Sequence, residues 1–194
     1  MSDIIRTFIA IKLPEKILSS VKEIQNGFKS QGIRAKWVKV ENIHITIKFL
    51  GDIKITDVEK IIRSITLAAK ESKPITLSVK GAGVFPGVKR PRVIWAGITG
   101  EISDLLDLQD RVEKNLEAIG FPKESRPFKG HLTIGRIKGK TDAKKLVYAM
   151  EQFKGFESES FMADHIFLIK SELKQSGAVY TDLSSVFLKD QIDA

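Results

Sequence analysis

The chain contains no cysteine and only three histidines among its 194 residues. The lack of cysteine excludes disulfide bonds, a cysteine nucleophile, and cysteine-ligated zinc or iron–sulfur clusters. No stretch approaches the roughly 18 consecutive apolar residues that a membrane-spanning helix needs. The first residues, MSDIIR, do not show the basic segment and apolar run of a signal peptide. We therefore expect a cytoplasmic protein that is not inserted in a membrane.

Several catalytic signatures are also missing. The glycine-rich segment GAGVFPG, at positions 81–87, lacks the Gly-Lys-Ser/Thr ending with which a P-loop reaches nucleotide phosphates. There is no Gly-x-Ser-x-Gly nucleophile elbow, and no pair of histidines has the H-E-x-x-H spacing of a zinc site. We therefore expect no metal ion, no ATP and no other cofactor.

The charge is strongly positive, with 32 Lys and Arg residues against 24 Asp and Glu, a net charge of +8. Such an excess favours polyanionic partners, although a lysine-rich solvated surface would give the same composition. The neighbours of two of the histidines favour a phosphate ligand. The positive residues near them are Lys48 on one side and Arg126, Lys129, Arg136 and Lys138 on the other.

A four-residue pattern occurs twice, as His44-Ile45-Thr46-Ile47 and as His131-Leu132-Thr133-Ile134. We call these segments the two tetrads. Apolar and polar residues alternate in each, as in a half-buried strand, so the histidine and threonine share one face and the apolar side chains face a core. A single histidine on a strand is more often structural, and we assign no role to the third one, His165. Two copies in equivalent settings indicate instead a pair of acid–base groups.

The tetrads suit a reaction in which one oxygen displaces another at the phosphorus of a phosphodiester. Such a reaction needs one group to take a proton from the attacking oxygen and another to protonate the leaving oxygen. Imidazole can do both because its unperturbed pKa is about 6.5. The hydroxyls of Thr46 and Thr133 can donate to phosphate oxygens. Strict alternation places Arg136 on the opposite face from His131, but a bend at Gly135 would turn its guanidinium back towards the phosphate.

Periodicity and turn residues predict an alternation of helices and strands. Helices are expected at Pro14–Ser30, Asp57–Ser72 with Thr56 as the N-cap, Glu101–Ala118 and Asp142–Phe153. Strands are expected at Phe8–Leu13, Lys36–Val40, Ile43–Leu50, Ile75–Lys80, Val93–Ile98, His131–Ile137, Phe161–Lys170 and Ala178–Leu188. Gly81–Arg92 is predicted to be a loop or a bulged hairpin. Because the element order is similar in both halves, we expect an α+β fold of two lobes that arose by internal duplication.

With these residues the chain resembles the two-histidine (2H) phosphoesterase superfamily. Within that superfamily it is similar to the 2'-5' RNA ligase family, also called RNA 2',3'-cyclic phosphodiesterases. The resemblance covers nearly the full length and includes both tetrads in their contexts, Glu41–Gly51 and Arg126–Arg136. The other similar segments are FIAIKLP near the start, Lys36–Val38, Arg92–Gly97, Ser171–Leu173 and Gly177–Tyr180.

The resemblance implies a single domain over residues 1–194, with two pseudo-symmetric lobes that enclose a central cleft. Each lobe would be an antiparallel sheet with helices on its outer face. The implied activity is metal-independent hydrolysis of a terminal 2',3'-cyclic phosphate of RNA, or of a small cyclic nucleotide, to a 2'-phosphomonoester. By motif position, His44 resembles the proton donor to the leaving 3' oxygen and His131 the acceptor that activates water. Thr46, Thr133 and Arg136 resemble phosphate binders, and we expect a monomer.

Two positions depart from the family pattern. Gly130 precedes the second tetrad where proline is common, and Ala178 follows Gly177 where proline is frequent. Both changes loosen the backbone and bear on loop rigidity, not on the type of reaction.

Two alternative functions stay open. A reversible 2'-5' RNA ligase would use the same site, because hydrolysis and its reverse share a transition state. A non-catalytic RNA-binding module would also fit the positive charge. Phe85, Trp95 and Tyr180 are candidates to stack on a base, although such side chains more often belong to a core.

Overall fold

The computed structural model describes residues 3–175 and 177–189. In this part of the chain, nine strands and four α-helices follow one another. The strands are β1 (Ile4–Lys12), β2 (Ala35–Trp37), β3 (His44–Lys54), β4 (Ile75–Phe85), β5 (Val93–Gly100), β6 (His131–Ile137), β7 (Phe161–Ala163), β8 (His165–Lys174) and β9 (Gly177–Phe187). The helices are α1 (Glu15–Ser30), α2 (Val58–Lys70), α3 (Ile102–Glu117) and α4 (Ala143–Gln152).

The strands form one antiparallel sheet in the order β7-β4-β5-β6-β3-β1-β8-β9, and β2 pairs with β6. The predicted α+β class is confirmed. The strands that begin with the tetrads, β3 and β6, are neighbours at the centre. Strand β4 lies beside β5 and β8 lies beside β1, so each half of the chain contributes strands to both ends of the sheet. The division of residues 1–194 into two lobes within one domain stays a prediction.

The core lies between one face of the sheet and the helices. In β1, Ile9 and Ile11 point into this core and are almost fully buried. Each of the four helices contributes to this core a stripe of apolar side chains at helical spacing. The buried apolar residues of the helices are Ile17, Val21, Ile24, Phe28, Ile61, Ile65, Ala68, Ala69, Leu105, Leu108, Val112, Leu116, Leu146 and Ala149. The other face of the sheet is left for the polar side chains of the tetrads.

Two sequence-based predictions of local structure change, and a third is decided between its two alternatives. The prediction of Thr56 as an N-cap is wrong, because Ile55–Asp57 forms a 3-10 turn and α2 begins after Asp57. The predicted strand Phe161–Lys170 is two strands, β7 and β8, interrupted at Asp164. Segment 81–92 is a bulged hairpin, because β4 continues to Phe85 with a register shift between Lys80 and Ala82.

Candidate active site

The two tetrads lie side by side in the sheet. Strands β3 and β6 pair at Ile45 and Leu132, the second residue of each tetrad, and both side chains are fully buried. In an antiparallel pair with this register, each histidine lies across from the threonine of the other tetrad, and all four polar side chains share the face opposite the core. His44 and His131 are then diagonal neighbours, which lie about 7–8 Å apart in such a pair.

Each of these histidines is oriented by a backbone carbonyl two residues earlier. Nδ1 of His44 lies 2.8 Å from the carbonyl oxygen of Asn42, and Nδ1 of His131 lies 2.7 Å from that of Lys129. A carbonyl oxygen can only accept, so Nδ1 donates in both rings. Nε2 is therefore the nitrogen that is left to exchange a proton with a substrate.

His44 sits among aromatic rings. Phe8 stacks on it with a centroid distance of 4.7 Å, and Tyr180 meets it edge-on at 5.5 Å. Burial lowers the pKa of His44 below its usual value, the hydrogen bond to Asn42 opposes this shift, and the nearby His131 and Lys12 lower the pKa further. The setting of the first histidine therefore disfavours its protonated form, which a nearby negative charge would favour.

His131 has a different setting. Its ring meets the edge of Phe85 at 5.2 Å, and Phe85 in turn stacks on Trp95 at 5.2 Å. Trp95 lies over Gly83, where a Cβ atom would come within 2.3 Å of the indole, so only glycine allows this close approach. Phe85, Trp95 and Tyr180, the candidates for base stacking, thus lie around the two tetrads. Their stacking on a base stays a prediction.

The two threonines are half-buried on the same face as the histidines. Within residues 3–175 and 177–189, neither the hydroxyl of Thr46 nor that of Thr133 forms a hydrogen bond. Both hydroxyls are therefore available to donate to a ligand between the histidines.

A β-bulge brings Arg136 to the face of the tetrads. Thr133 pairs with Trp95 of β5, but Arg136 pairs with Val93, so one extra residue is accommodated on β6. Because Trp95 and Val93 share a face of β5, Arg136 shares a face with Thr133. The bend predicted at Gly135 is this bulge. A Cβ atom there would lie 2.9 Å from the Trp37 ring, so glycine allows the close packing.

The positive charge of Arg136 acts on Tyr180, which lies beside the first tetrad. Burial raises the pKa of Tyr180, which contacts His44, and the positive charge of Arg136 partly opposes this rise. The Arg136 side chain is exposed on the face of the sheet that carries the tetrads. The arrangement therefore combines two imidazoles, two hydroxyls and one guanidinium on one face.

A second bulge, in β3, overturns the prediction for Lys48. Thr46 pairs with Ala10 of β1, whereas Lys48 pairs with Ile9, so Lys48 points into the core. Its side chain is only 2% exposed, and Nζ lies 2.5 Å from the Glu113 carboxylate and donates to the carbonyl oxygen of Pro122 at 2.8 Å. The interpretation of Lys48 as a phosphate-facing cation is wrong, because Glu113 neutralises it away from the cleft. The remaining cations of that prediction, Arg126, Lys129 and Lys138, are exposed.

Comparison with known proteins agrees with this geometry. The family model described as LigT like Phosphoesterase matches residues 11–95 and 97–180, one match for each tetrad. The chain belongs to this family. The family prediction made from the sequence is thereby confirmed.

Named relatives of this phosphoesterase cover nearly its whole length. The RNA 2',3'-cyclic phosphodiesterase of Methanocaldococcus jannaschii is 38% identical over 90% of this chain and 96% of its own. That of Methanothermobacter thermautotrophicus is 35% identical over 92% of this chain and 96% of its own. The crystal structure of TT0787 of Thermus thermophilus has a TM-score of 0.79 and 25% identity, and the match covers 96% of this chain and 99% of that one.

Several neighbours of His44 in this phosphoesterase were not found from the sequence. Lys12 pairs with His44 across β1 and β3, and its Nζ lies 2.5 Å from the Asp182 carboxylate. Phe8 lies on the same face of β1, as the alternation in FIAIKL could have indicated. Asn42 could not have been found, because its role depends on its backbone carbonyl and on a side-chain bond to the carbonyl of Ala178 at 2.9 Å.

The third histidine lies one strand further along the sheet than Lys12, because β1 separates β8 from β3. His165 is on β8, where Nδ1 is 2.8 Å from an oxygen of Asp164 and the ring meets the edge of Phe187. Among the residues that the structure describes, no three His, Cys, Asp or Glu side chains are grouped so as to hold a metal ion. No helix in the same part of this phosphoesterase is long and apolar enough to cross a membrane.

Proposed function

We propose that this phosphoesterase hydrolyses a terminal 2',3'-cyclic phosphate of RNA to a 2'-phosphomonoester. The observation that carries the proposal is the pairing of the two tetrads across β3 and β6, which makes His44 and His131 diagonal neighbours on one face of the sheet. Relatives with 35% and 38% identity are named for this activity. RNA ends and small cyclic nucleotides are the partners we infer, with the protein acting as a cytoplasmic monomer.

The proposed mechanism gives the two histidines unequal roles. Nε2 of His131 takes a proton from water, and the resulting hydroxide forms a new bond to phosphorus. His44 gives its proton to the 3' oxygen as the bond between that oxygen and phosphorus breaks, and the phosphate remains on the 2' oxygen. Burial lowers the pKa of His44, so its imidazolium gives up a proton readily. The anionic phosphate favours the protonated form of His44 when substrate is bound.

The phosphate is bound by the remaining polar groups of the cleft. The hydroxyls of Thr46 and Thr133 donate to its non-bridging oxygens, and Arg136 offsets the charge that develops in the transition state. These groups supply proton transfer and charge stabilisation together, so the proposed reaction needs no metal ion.

The three histidines provide both the test and its control. On a cyclic-phosphate RNA end, we expect His44→Ala and His131→Ala each to lower kcat/KM by about 10²–10⁴-fold. His165→Ala, on β8, and the addition of EDTA should leave kcat/KM within a factor of two. Full activity in either of the first two variants contradicts the acid–base roles, and loss of activity in EDTA contradicts metal independence.

A further inference from the structure

Exposed cations continue from Arg136 along the edge of the sheet. Lys36 of β2 pairs directly with Arg136 of β6. The backbone N–H of Lys138 donates to the carbonyl oxygen of Arg34 at 2.9 Å, which extends the same ladder by one row on the same face. We call Arg34, Lys36 and Lys138 the basic ladder. All three side chains are exposed.

The basic ladder places like charges opposite each other, an arrangement that destabilises an antiparallel strand pair. None of its members, nor Arg136, forms an ion pair with a residue in ranges 3–175 and 177–189. Some exposed lysines elsewhere are paired, as in the contacts of Lys80 with Glu157 and of Lys114 with Asp110. An anionic ligand would relieve the repulsion, and Arg136 connects the ladder to the proposed phosphate site.

The spacing and openness of the ladder match an extended polyanion. One row is Lys36 with Arg136, and the next is Arg34 with Lys138. The two rows are two residues apart, or about 7 Å along the strand. This distance is comparable with the spacing of neighbouring phosphates in an extended nucleic acid strand. Strand β2 pairs with no strand other than β6 in the described chain, so the ladder lies at a free edge. Arg34 and Lys138 also border an open depression of about 610 Å³.

We propose that the basic ladder binds the backbone phosphates of the nucleotides that precede the cyclic phosphate in a single-stranded RNA end. The inference rests on the proposed function, because the cyclic phosphate between His44 and His131 sets where the strand begins. The next phosphates along the chain then meet Lys36 and afterwards Arg34 and Lys138. An oligonucleotide should therefore bind more tightly than a cyclic mononucleotide, and its binding should depend strongly on salt.

The test compares two double variants that each remove two positive charges. Lys36→Gln/Lys138→Gln removes one cation from each row of the ladder. Lys22→Gln/Lys70→Gln removes two exposed lysines from helices α1 and α2, behind the sheet, neither of which forms an ion pair within residues 3–175 and 177–189. Binding of an oligoribonucleotide ending in a 2'-phosphate, which does not turn over, is measured by fluorescence anisotropy at increasing KCl. Hydrolysis of a cyclic mononucleotide is measured in parallel.

We expect the ladder variant to reduce the slope of log affinity against log salt by about 1.4, that is about 0.7 for each lost phosphate contact. Its affinity for the oligonucleotide at low salt should fall on the order of tenfold. The affinity of the Lys22/Lys70 control for the oligonucleotide, and the rate at which the ladder variant hydrolyses the cyclic mononucleotide, should change less than twofold. An unchanged slope in the ladder variant, or an equal loss in both variants, overturns the inference. If the wild-type protein binds the RNA strand but hydrolyses no cyclic phosphate, the proposed function fails. The salt dependence of binding still tests whether the basic ladder contacts the backbone phosphates.

Discussion

His44 and His131 share one hydrogen-bond pattern and differ in what surrounds them. Both donate from Nδ1 to a carbonyl two residues earlier, which orients Nε2 in the same way. His44 is enclosed by Phe8 and Tyr180, whereas His131 has Phe85 at one side. The antiparallel pairing of β3 with β6 relates the two tetrads by a local two-fold symmetry, and the aromatic side chains break that symmetry. This difference supports unequal roles in proton transfer.

The lowered pKa of His44 can be measured directly. In an NMR titration of the free protein, we expect its midpoint to lie below the ordinary value of about 6.5, chiefly because of burial. Lys12→Met should raise the midpoint, because the variant removes a cation that disfavours the imidazolium. A midpoint above the ordinary value, or a fall in the Lys12 variant, contradicts this account.

The same shift predicts how stability depends on pH. The folded protein holds the pKa of His44 below its unfolded value, so the contribution of this group to stability is present above about pH 6.5 and is lost as the pH falls through the folded-state pKa. Urea unfolding between about pH 7.5 and 5.5 should show a larger loss of stability for the wild type than for His44→Gln. An equal loss in both proteins would mean that His44 titrates normally.

The elements that carry the tetrads show where sequence-based prediction succeeded and where it could not. Alternation placed the histidines and threonines on one face of β3 and β6, and Gly135 marked the bulge that carries Arg136 to that face. The matching bulge in β3 contains no glycine or proline, so nothing in the local pattern indicated that Lys48 turns into the core. Arg136 and Phe49 each follow their histidine by five residues, so the two bulges bring a cation and an aromatic ring to corresponding places.

The contact of Lys48 with Glu113 ties β3 to α3 and predicts a large effect on stability. Lys48→Met leaves a buried carboxylate without its partner and should lower the free energy of unfolding by about 3–5 kcal/mol. Lys48→Met/Glu113→Leu should recover much of that loss, because no buried charge remains. Urea denaturation measures both. A raised KM with unchanged stability would instead favour the original interpretation of Lys48 as a phosphate ligand.

The bulge at Gly135 predicts a coupled effect on stability and substrate binding. Gly135→Ala places a Cβ atom against the Trp37 ring, and the repacking should cost about 1–3 kcal/mol. Because the bulge positions Arg136, KM should rise as well. Gly155→Ala is the matched control, since no atom outside its chain neighbours lies within 4 Å of the added Cβ. Equal behaviour of the two variants would argue against a role for the bulge.

At the scale of the whole molecule, the α+β class and the family could be predicted because the two tetrads and their contexts are local sequence features. The pairing of β3 with β6, and the placement of β8 beside β1, could not be predicted, because periodicity within a segment says nothing about its partner strand. The basic ladder shows the same limit. Lys36 and Arg136 are 100 residues apart in the sequence and become neighbours only through the pairing of β2 with β6.

The position of the product phosphate tests the central proposal most directly. An RNA oligonucleotide ending in a 2',3'-cyclic phosphate is incubated with the protein in EDTA, and the product is identified by ³¹P NMR. If His44 protonates the 3' oxygen while His131 activates water, the product is a 2'-phosphomonoester and it forms without a metal ion. A 3'-phosphomonoester, or no turnover of the cyclic phosphate, would contradict the account.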